Sequence, residues 1–302
     1  METTISNAIL SLYNTTPKNI KALGGGFYGR AFLVTIECPP YLLVAKLFLF
    51  SGIASKEATQ IKELSKHATL KMPEIYHICP AADYGYPYDI IFMEYLEGAS
   101  AAYVDVKYLQ NKTDICNDII RNLISYHSAT NTKGFGELDA LKYYPTWQEY
   151  YYPIACGIFS KATVLFDKGQ LTHDILSVFE KALNNFVQIF YVTIKQPSLI
   201  HGDYNTWNIM LTSDCSQAYA AIDPFNCCWG DNEFDLYQLD NANGKEYGLL
   251  KRYAEIVPLS ENFLQKRCFY ELFTEVSHYH DAGMPVNIRA VEILAKKLNA
   301  LI

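Results

Sequence analysis

The sequence predicts an α+β fold in two unequal parts: a small, β-rich lobe with one key helix over residues 1–96, then a larger, mainly helical lobe over 97–302. Three observations point there. Short apolar runs and a glycine-rich turn crowd the first hundred residues, as strands and hairpins do. Beyond Glu97-Gly98 the apolar residues recur at spacings of three and four, the period of helices. With 302 residues, half of them apolar, the chain can bury a large core.

Taken in order, METTISNAILSLYN has no basic start and too short an apolar stretch for a signal segment. Residues 20–23, 31–36 and 41–50 read as strands around GGGFYG. Residues 55–70 read as a helix ended by Pro73, with Ile61 and Leu64 on one face. Residues 89–96 form another strand. Helical spacing then marks 113–130 and 172–195, where Ile175, Phe179, Leu183, Phe186 and Phe190 line one stripe. The last sixty residues are helical as well.

Composition narrows the function. The longest apolar run, YLLVAKLFLF, is ten residues long and broken by Lys46, so no membrane span is expected. The eight cysteines show no zinc-ligand spacing, which suits small buried thiols in a reducing cytoplasm. A formal charge of −7 argues against non-specific nucleic-acid binding. That charge is uneven: residues 1–96 carry eight basic and eight acidic side chains, residues 97–302 carry 17 and 24. The excess favours a cationic small molecule in the second part, or is simply a solvated acidic surface.

Gly24, Gly26 and Gly29 fit G-x-G-x-x-G. A dinucleotide fold would need a helix after the glycines and an acid about twenty residues on. Here AFLVTI follows and Leu49-Phe50 occupies the acid's place. The other readings are a flap closing over nucleotide phosphates and a plain hairpin turn. Lys46 shares a strand face with Leu42, Val44 and Phe48, so its ammonium must be paired, reach a phosphate or snorkel to water. Glu57 follows i, i+4, i+7 spacing with Ile61 and Leu64, faces inward and is the candidate partner; Glu63 is the fallback.

HGDYNTWNIML places Asp203 and Asn208 at the Asp-x-x-x-x-Asn spacing of a kinase catalytic loop, where the Asp takes a hydroxyl proton and the Asn binds metal. IMLT and AYAAID flank the turn SDCSQ, a hairpin pattern. A turn centred between Cys215 and Ser216 sets Asn208 opposite Asp223, where amide and carboxylate could share a Mg²⁺ ion. The bland alternative is a polar cluster capping a hairpin. His278-Tyr279-His280-Asp281 reads as a polar cluster at a helix end rather than a metal site.

With HGDYNTWN and IDPFNCCWGDNEFDL as its specific blocks, the chain resembles the aminoglycoside phosphotransferase and choline kinase superfamily, protein-kinase-like enzymes that act on small molecules. GFGEL followed by TWQEYY is similar to fructosamine (ketosamine) kinases, which usually carry a Trp where this chain has Asn205. The resemblance implies a protein-kinase-like two-lobed fold and phosphoryl transfer from ATP, with Mg²⁺, to a hydroxyl of a sugar-like or amine-bearing acceptor. It implies Asp203 as the catalytic Asp, Asn208 and Asp223 as metal ligands, and Lys46 on the phosphates oriented by Glu57. It places Met93, Glu94 and Leu96 at an inter-lobe hinge holding adenine, and His201, Asp231 and Asp235 as a brace beneath the catalytic loop. Trp147, Tyr150, Tyr151, Trp207 and Trp229 could stack on the acceptor's sugar face, with packing the alternative for each. Gly202 in place of Arg, DPF in place of DFG and no APE-like segment argue against a protein substrate. An aminoglycoside-inactivating enzyme and a nucleotide-binding module without transfer activity are the rival functions.

Overall fold

The computed structural model describes residues 1–302. Helix α1 (Glu2–Tyr13) opens the chain. It was not foreseen in the sequence, yet it buries Ile5, Ala8 and Ile9 completely against the first sheet. Strands β1 (Asn19–Gly25), β2 (Gly29–Thr35) and β3 (Leu42–Phe48) follow as antiparallel neighbours. The alternation within β3 sorts its side chains: Leu43, Ala45 and Leu47 lie under α1, while Val44, Lys46 and Phe48 point the other way.

That other side receives α2 (Ile53–Ser65), which buries Ala54, Glu57, Gln60, Ile61 and Leu64. The helix stops five residues before its expected end. Beyond it the backbone N–H groups of Thr69 and Leu70 donate to Oδ1 of Asn122, at 2.8 and 2.9 Å, so they are satisfied outside the helix. Strand β4 (Ile75–Cys79), also unforeseen, lies at the sheet edge between two prolines, and β5 (Ile90–Glu94) sits inside it, giving the order β1-β2-β3-β5-β4.

The chain then turns helical, with the short strand β6 (Ala99–Ser100) before α3 (Lys112–Ser128), and β7 (Gly136–Glu137) before α4 (Trp147–Asp167). The helix expected over 172–195 is broken at Asn185 into α5 (His173–Asn184) and α6 (Phe186–Ile189). Its apolar stripe survives the break, because Ile175, Phe179, Phe186 and Phe190 all remain buried. Strands β8 (Ser198–Ile200), β9 (Ile209–Leu211), β10 (Ala218–Ala221) and β11 (Cys228–Gly230) form two three-stranded sheets, β10-β9-β6 and β7-β11-β8. Helices α7 (Gly244–Tyr247), α8 (Leu249–Ile256), α9 (Phe263–Ala282) and α10 (Ile288–Asn299) close the fold. Two large cores result, one around α3 and the β9–β10 hairpin, one among α4, α5, α9 and α10. No helix is long and apolar enough to cross a membrane.

Candidate active site

The loop between β8 and β9 carries Asp203 and Asn208. Its entry depends on Gly202, at φ +81°, where an added Cβ would lie 1.7 Å from the Phe225 carbonyl oxygen, so no other residue fits. Asn205 Oδ1 accepts the Trp207 N–H at 2.9 Å and holds the turn. Both oxygens of the Asp203 carboxylate are then occupied by side-chain amides: Asn205 Nδ2 donates to Oδ1 at 2.7 Å, and Asn208 Nδ2 to Oδ2 at 2.8 Å. Burial pushes this carboxyl up to about 7, Asp223 adds to the rise and the Asn208 hydrogen bond restrains it. Asn205 thus does work at Asp203 that sequence reasoning missed; its signal was a polar residue two positions after the Asp.

From below, the fully buried Asp235 accepts the backbone N–H groups of His201 at 2.8 Å and Gly202 at 2.6 Å. His127, on α3, meets the same carboxylate at 3.1 Å and Tyr253 Oη at 2.8 Å. Burial pushes His201 down to about 4, so it is a neutral ring, and its Nδ1 accepts the Asp203 N–H at 3.3 Å. Tyr204 fixes the loop sideways, donating to Ile119 O at 2.8 Å and accepting from Asn122 Nδ2 at 3.0 Å. His127 and Asn122 were not in the sequence-based set, because nothing local marks residues some eighty to a hundred positions away.

Asp231 differs from expectation. Its carboxylate makes no hydrogen bond to the loop; it pairs with buried Lys266 at 2.5 Å and accepts from Tyr270 at 2.6 Å, while Glu233 takes the same lysine at 2.8 Å. Lys266, shared by the two carboxylates, ties the end of β11 to α9 rather than bracing Asp203 directly.

Opposite the loop, Lys46 Nζ meets Glu57 Oε2 at 2.7 Å and also pairs with Asp223 Oδ1. Burial alone would lower the Lys46 pKa, but the two carboxylates outweigh it and hold the ammonium above its ordinary value. Burial pushes Glu57 up to about 7 and Lys46 pulls it back. Glu63 instead pairs with Lys66 on the surface.

The hairpin register also differs. Ala218 pairs with Leu211, which centres the turn between Asp214 and Cys215; a bulge then sets Ala221 opposite Ile209, and Asn208 O accepts the Ile222 N–H at 2.9 Å rather than facing Asp223. Asp223 follows the strand at φ +59°, an uncommon backbone state for a side-chain-bearing residue, and turns its carboxylate to Lys46. Asn208 Oδ1 and Asp223 Oδ2 accept no protein hydrogen bond. Two free oxygens of this kind fit a hard cation such as Mg²⁺.

Strand β2, not a helix, follows the glycines, which removes the dinucleotide fold. Gly26 and Gly29 close the β1–β2 turn with an N–H···O bond of 3.2 Å, Arg30 clasps the Gly26 carbonyl at 2.7 Å, and Gly24 takes φ +148° beside a bulge in β1. At the tip, Tyr28 stacks on Phe225 with ring centroids 4.5 Å apart, and Phe27 lies 5.5 Å from His278. Met93, at the end of β5, is buried beside Phe48 and Ile91. The Glu94 N–H already donates to Glu74 O at 2.8 Å, whereas the Leu96 N–H has no partner within the chain.

Next to Phe225 opens a cavity of about 340 Å³ lined by Tyr28, Trp147, Tyr150, Tyr151, Ile200, Phe225 and residues of α9. Trp147 and Tyr151 form its floor, rings stacked 5.0 Å apart. Trp229 instead belongs to the core around α3, and Trp207 stands half-exposed against Tyr103.

A family model described as fructosamine kinase matches residues 1–300. The chain is 22% identical over 247 residues to the uncharacterised protein YcbJ of Escherichia coli K12, covering 81% of this chain and 80% of that one. It is 26% identical over 141 residues to the chloroplastic protein-ribulosamine 3-kinase of Oryza sativa subsp. japonica, covering 46% and 36%. Among solved structures, a candidate fructosamine-3-kinase of Haemophilus somnus 129PT superposes with a TM-score of 0.73 at 18% identity, covering 99% of this chain and 96% of that one. Aminoglycoside phosphotransferase APH(4)-Ia superposes with 0.71 at 13% identity, covering 100% and 98%. At these identities the superpositions show a shared fold, the protein-kinase-like fold of aminoglycoside phosphotransferases.

Proposed function

This chain belongs to the fructosamine kinase family of small-molecule kinases, and from that premise we propose that it transfers the γ-phosphoryl group of ATP to a hydroxyl of a sugar-amine acceptor. The observation that carries the reading is the placement of Asp203: the side-chain amides of Asn205 and Asn208 orient both oxygens of its carboxylate, as a general base requires.

In the proposed step Asp203 accepts the acceptor hydroxyl's proton as that oxygen bonds the γ-phosphorus. The bond from phosphorus to the β–γ bridging oxygen breaks and ADP leaves. Lys46, oriented by Glu57, offsets charge on the phosphates once ATP draws it from Asp223. Asn208 Oδ1 and the freed Asp223 carboxylate would hold Mg²⁺, which would supply positive charge against the phosphates. Residues 1–96 handle the nucleotide in this reading. Gly24, Gly26 and Gly29 let the flap approach the phosphates, Leu96 offers a free N–H to adenine, Glu94 is limited to its carbonyl, and Met93 lines the pocket. Residues 97–302 carry the loop and the acceptor cavity. Trp147 and Tyr151 line that cavity as nearly buried side chains; Trp207 and Trp229 lie outside it. Eight free thiols are in keeping with a reducing cytoplasm.

The test is ADP release with purified protein against a panel of ketosamines, alongside ATP titration. Wild-type protein should phosphorylate at least one ketosamine, and Asp203→Ala should lose transfer while still binding ATP. Transfer surviving in Asp203→Ala at near wild-type rate refutes the role of Asp203. Wild-type ATP binding without transfer to any ketosamine, aminoglycoside or other hydroxyl acceptor points to the nucleotide-binding module instead.

A further inference from the structure

Three residues beyond Asp235, on the tight helical turns of Asn232–Asp240, lies a buried amide that none of the steps above uses. Gln238 is 4% exposed, and its Oε1 accepts from two other amides, Asn241 Nδ2 at 2.6 Å and Asn205 Nδ2 at 3.4 Å. Its own Nε2 donates to the hydroxyl of buried Tyr237 at 2.9 Å. Asn205, equally buried, then has a partner for every polar atom. Its Oδ1 accepts the Trp207 N–H at 2.9 Å, and its Nδ2 donates to Asp203 Oδ1 at 2.7 Å and to Gln238. Asp203 O, at 3.5 Å, is the weaker alternative for the second hydrogen. The two ends of an amide match in shape and differ in polarity, so its partners set which way it faces. Turned end for end, Asn205 would aim Oδ1 at the Asp203 carboxylate and at Gln238 Oε1, both acceptors, and set an NH₂ group against the Trp207 N–H. Gln238 cannot turn either, because its Nε2 would then face two donor amides. Buried chains of this kind strengthen one another bond by bond.

We propose that Gln238 is a positioning residue for phosphoryl transfer: acting through Asn205, it keeps the donor end of that amide on Asp203 and so holds the carboxylate in the plane in which it meets the acceptor hydroxyl. Gln238 makes no hydrogen bond to Asp203 itself, so its whole effect passes through one side chain. ATP is handled by residues 1–96 in the reading above, far along the chain from this amide, and its binding is left unchanged. The effect on turnover rests on the kinase reading, whereas the effect on the orientation of Asn205 stands without it.

The experiment uses the purified full chain as wild type, Gln238→Met, Gln238→Glu, Asn205→Leu and the Gln238→Met, Asn205→Leu double variant. By ADP release with the fastest ketosamine, Gln238→Met should lower kcat about tenfold while the KM for ATP stays within about twofold. Asn205→Leu should lower kcat about 100-fold, the scale for a misplaced catalytic group. The double variant should be no slower than Asn205→Leu, because Gln238 has nothing to act on once that amide is gone. Hydrogen exchange of the Trp207 N–H, followed by NMR, should quicken about tenfold in Gln238→Met as its acceptor turns away. Gln238→Glu keeps an acceptor for Asn205 and should stay nearer wild type than Gln238→Met on both readouts. Native kcat or native Trp207 exchange in Gln238→Met, a kcat loss matched by a rise in the KM for ATP, losses that multiply in the double variant, or a Glu variant worse than Met each overturns the proposal and leaves the kinase reading standing. Wild type without transfer to any hydroxyl acceptor overturns the kinase reading and the role of Gln238 in turnover with it, and Trp207 exchange then decides the orientation of Asn205 alone.

Discussion

Replacing Asp235 tests whether the reacting loop is held from below by one carboxylate. In the native chain that side chain, fully buried, accepts three hydrogen bonds: His201 N–H at 2.8 Å, Gly202 N–H at 2.6 Å and His127 Nε2 at 3.1 Å. Asp235→Asn keeps the shape but only one acceptor oxygen. Whichever way the amide turns, its NH₂ faces one of the two backbone donors and leaves that N–H unsatisfied. His127 can adjust by changing tautomer, because its Nδ1 then donates to Tyr253. One orphaned buried donor costs about 1–3 kcal/mol. Asp235→Ala orphans both, for about 2–6 kcal/mol by the same reckoning, a large share of the 5–15 kcal/mol typical of a folded protein. Guanidinium unfolding of the three proteins should show the midpoint falling in the order wild type, Asn, Ala with similar slopes. Transfer activity should fall with it, since His201 and Gly202 lead directly into Asp203. An Asn variant within about 0.5 kcal/mol of wild type, the ordinary scatter of harmless substitutions, or an Ala variant no worse than Asn, would refute the brace.

Three further outcomes follow from other contacts. Gly202→Ala drives a Cβ into the Phe225 carbonyl oxygen, 1.7 Å away, so the loop must move; transfer should drop at least about 100-fold, as displaced catalytic groups do, and a variant with native kinetics would contradict the packing. Trp229→Ala, at a buried core position, should destabilise by about 3–5 kcal/mol, whereas half-exposed Trp207→Ala should leave the unfolding midpoint nearly unchanged; equal effects would mean the two are misassigned. His278, held neutral down to about pH 4, is protonated in the unfolded chain below about pH 6.5, so the unfolded state binds the extra proton within that window and stability falls as pH falls through it. Relative to His278→Phe, wild type should lose on the order of 3 kcal/mol more between pH 6.5 and pH 4, and parallel stability curves for the two would remove the basis of this expectation.

The candidate site was legible where its logic is local. Asp203, Gly202 and Asn208 fall within one loop of seven residues, and Lys46 and Glu57 are set by the periods of one strand and one helix, so the sequence already carries their spacing. The pairing of Lys46 with Glu57 follows from those two periods. The hairpin facing did not, because Ala218 pairs with Leu211 and the turn is therefore centred between Asp214 and Cys215, one residue earlier than the pattern suggests; the bulge between Ala218 and Ala220 makes up only half of that shift. Helix α1 escaped because no capping side chain marks its start, and the meaning of its apolar residues depends on the sheet beneath them.

By itself, then, the sequence determined the α+β class, the spacing within the candidate loop and the inward faces of Lys46 and Glu57, since each follows from residue type and spacing within a few turns of chain. Only the tertiary structure decided that Asp231 serves Lys266 rather than the loop, that Trp229 is core, and that Asn122 and His127 reach the candidate site from α3. Those outcomes depend on which of several possible partners stands within about 3 Å of a polar atom, and residues a hundred positions apart acquire that distance only when the chain has packed.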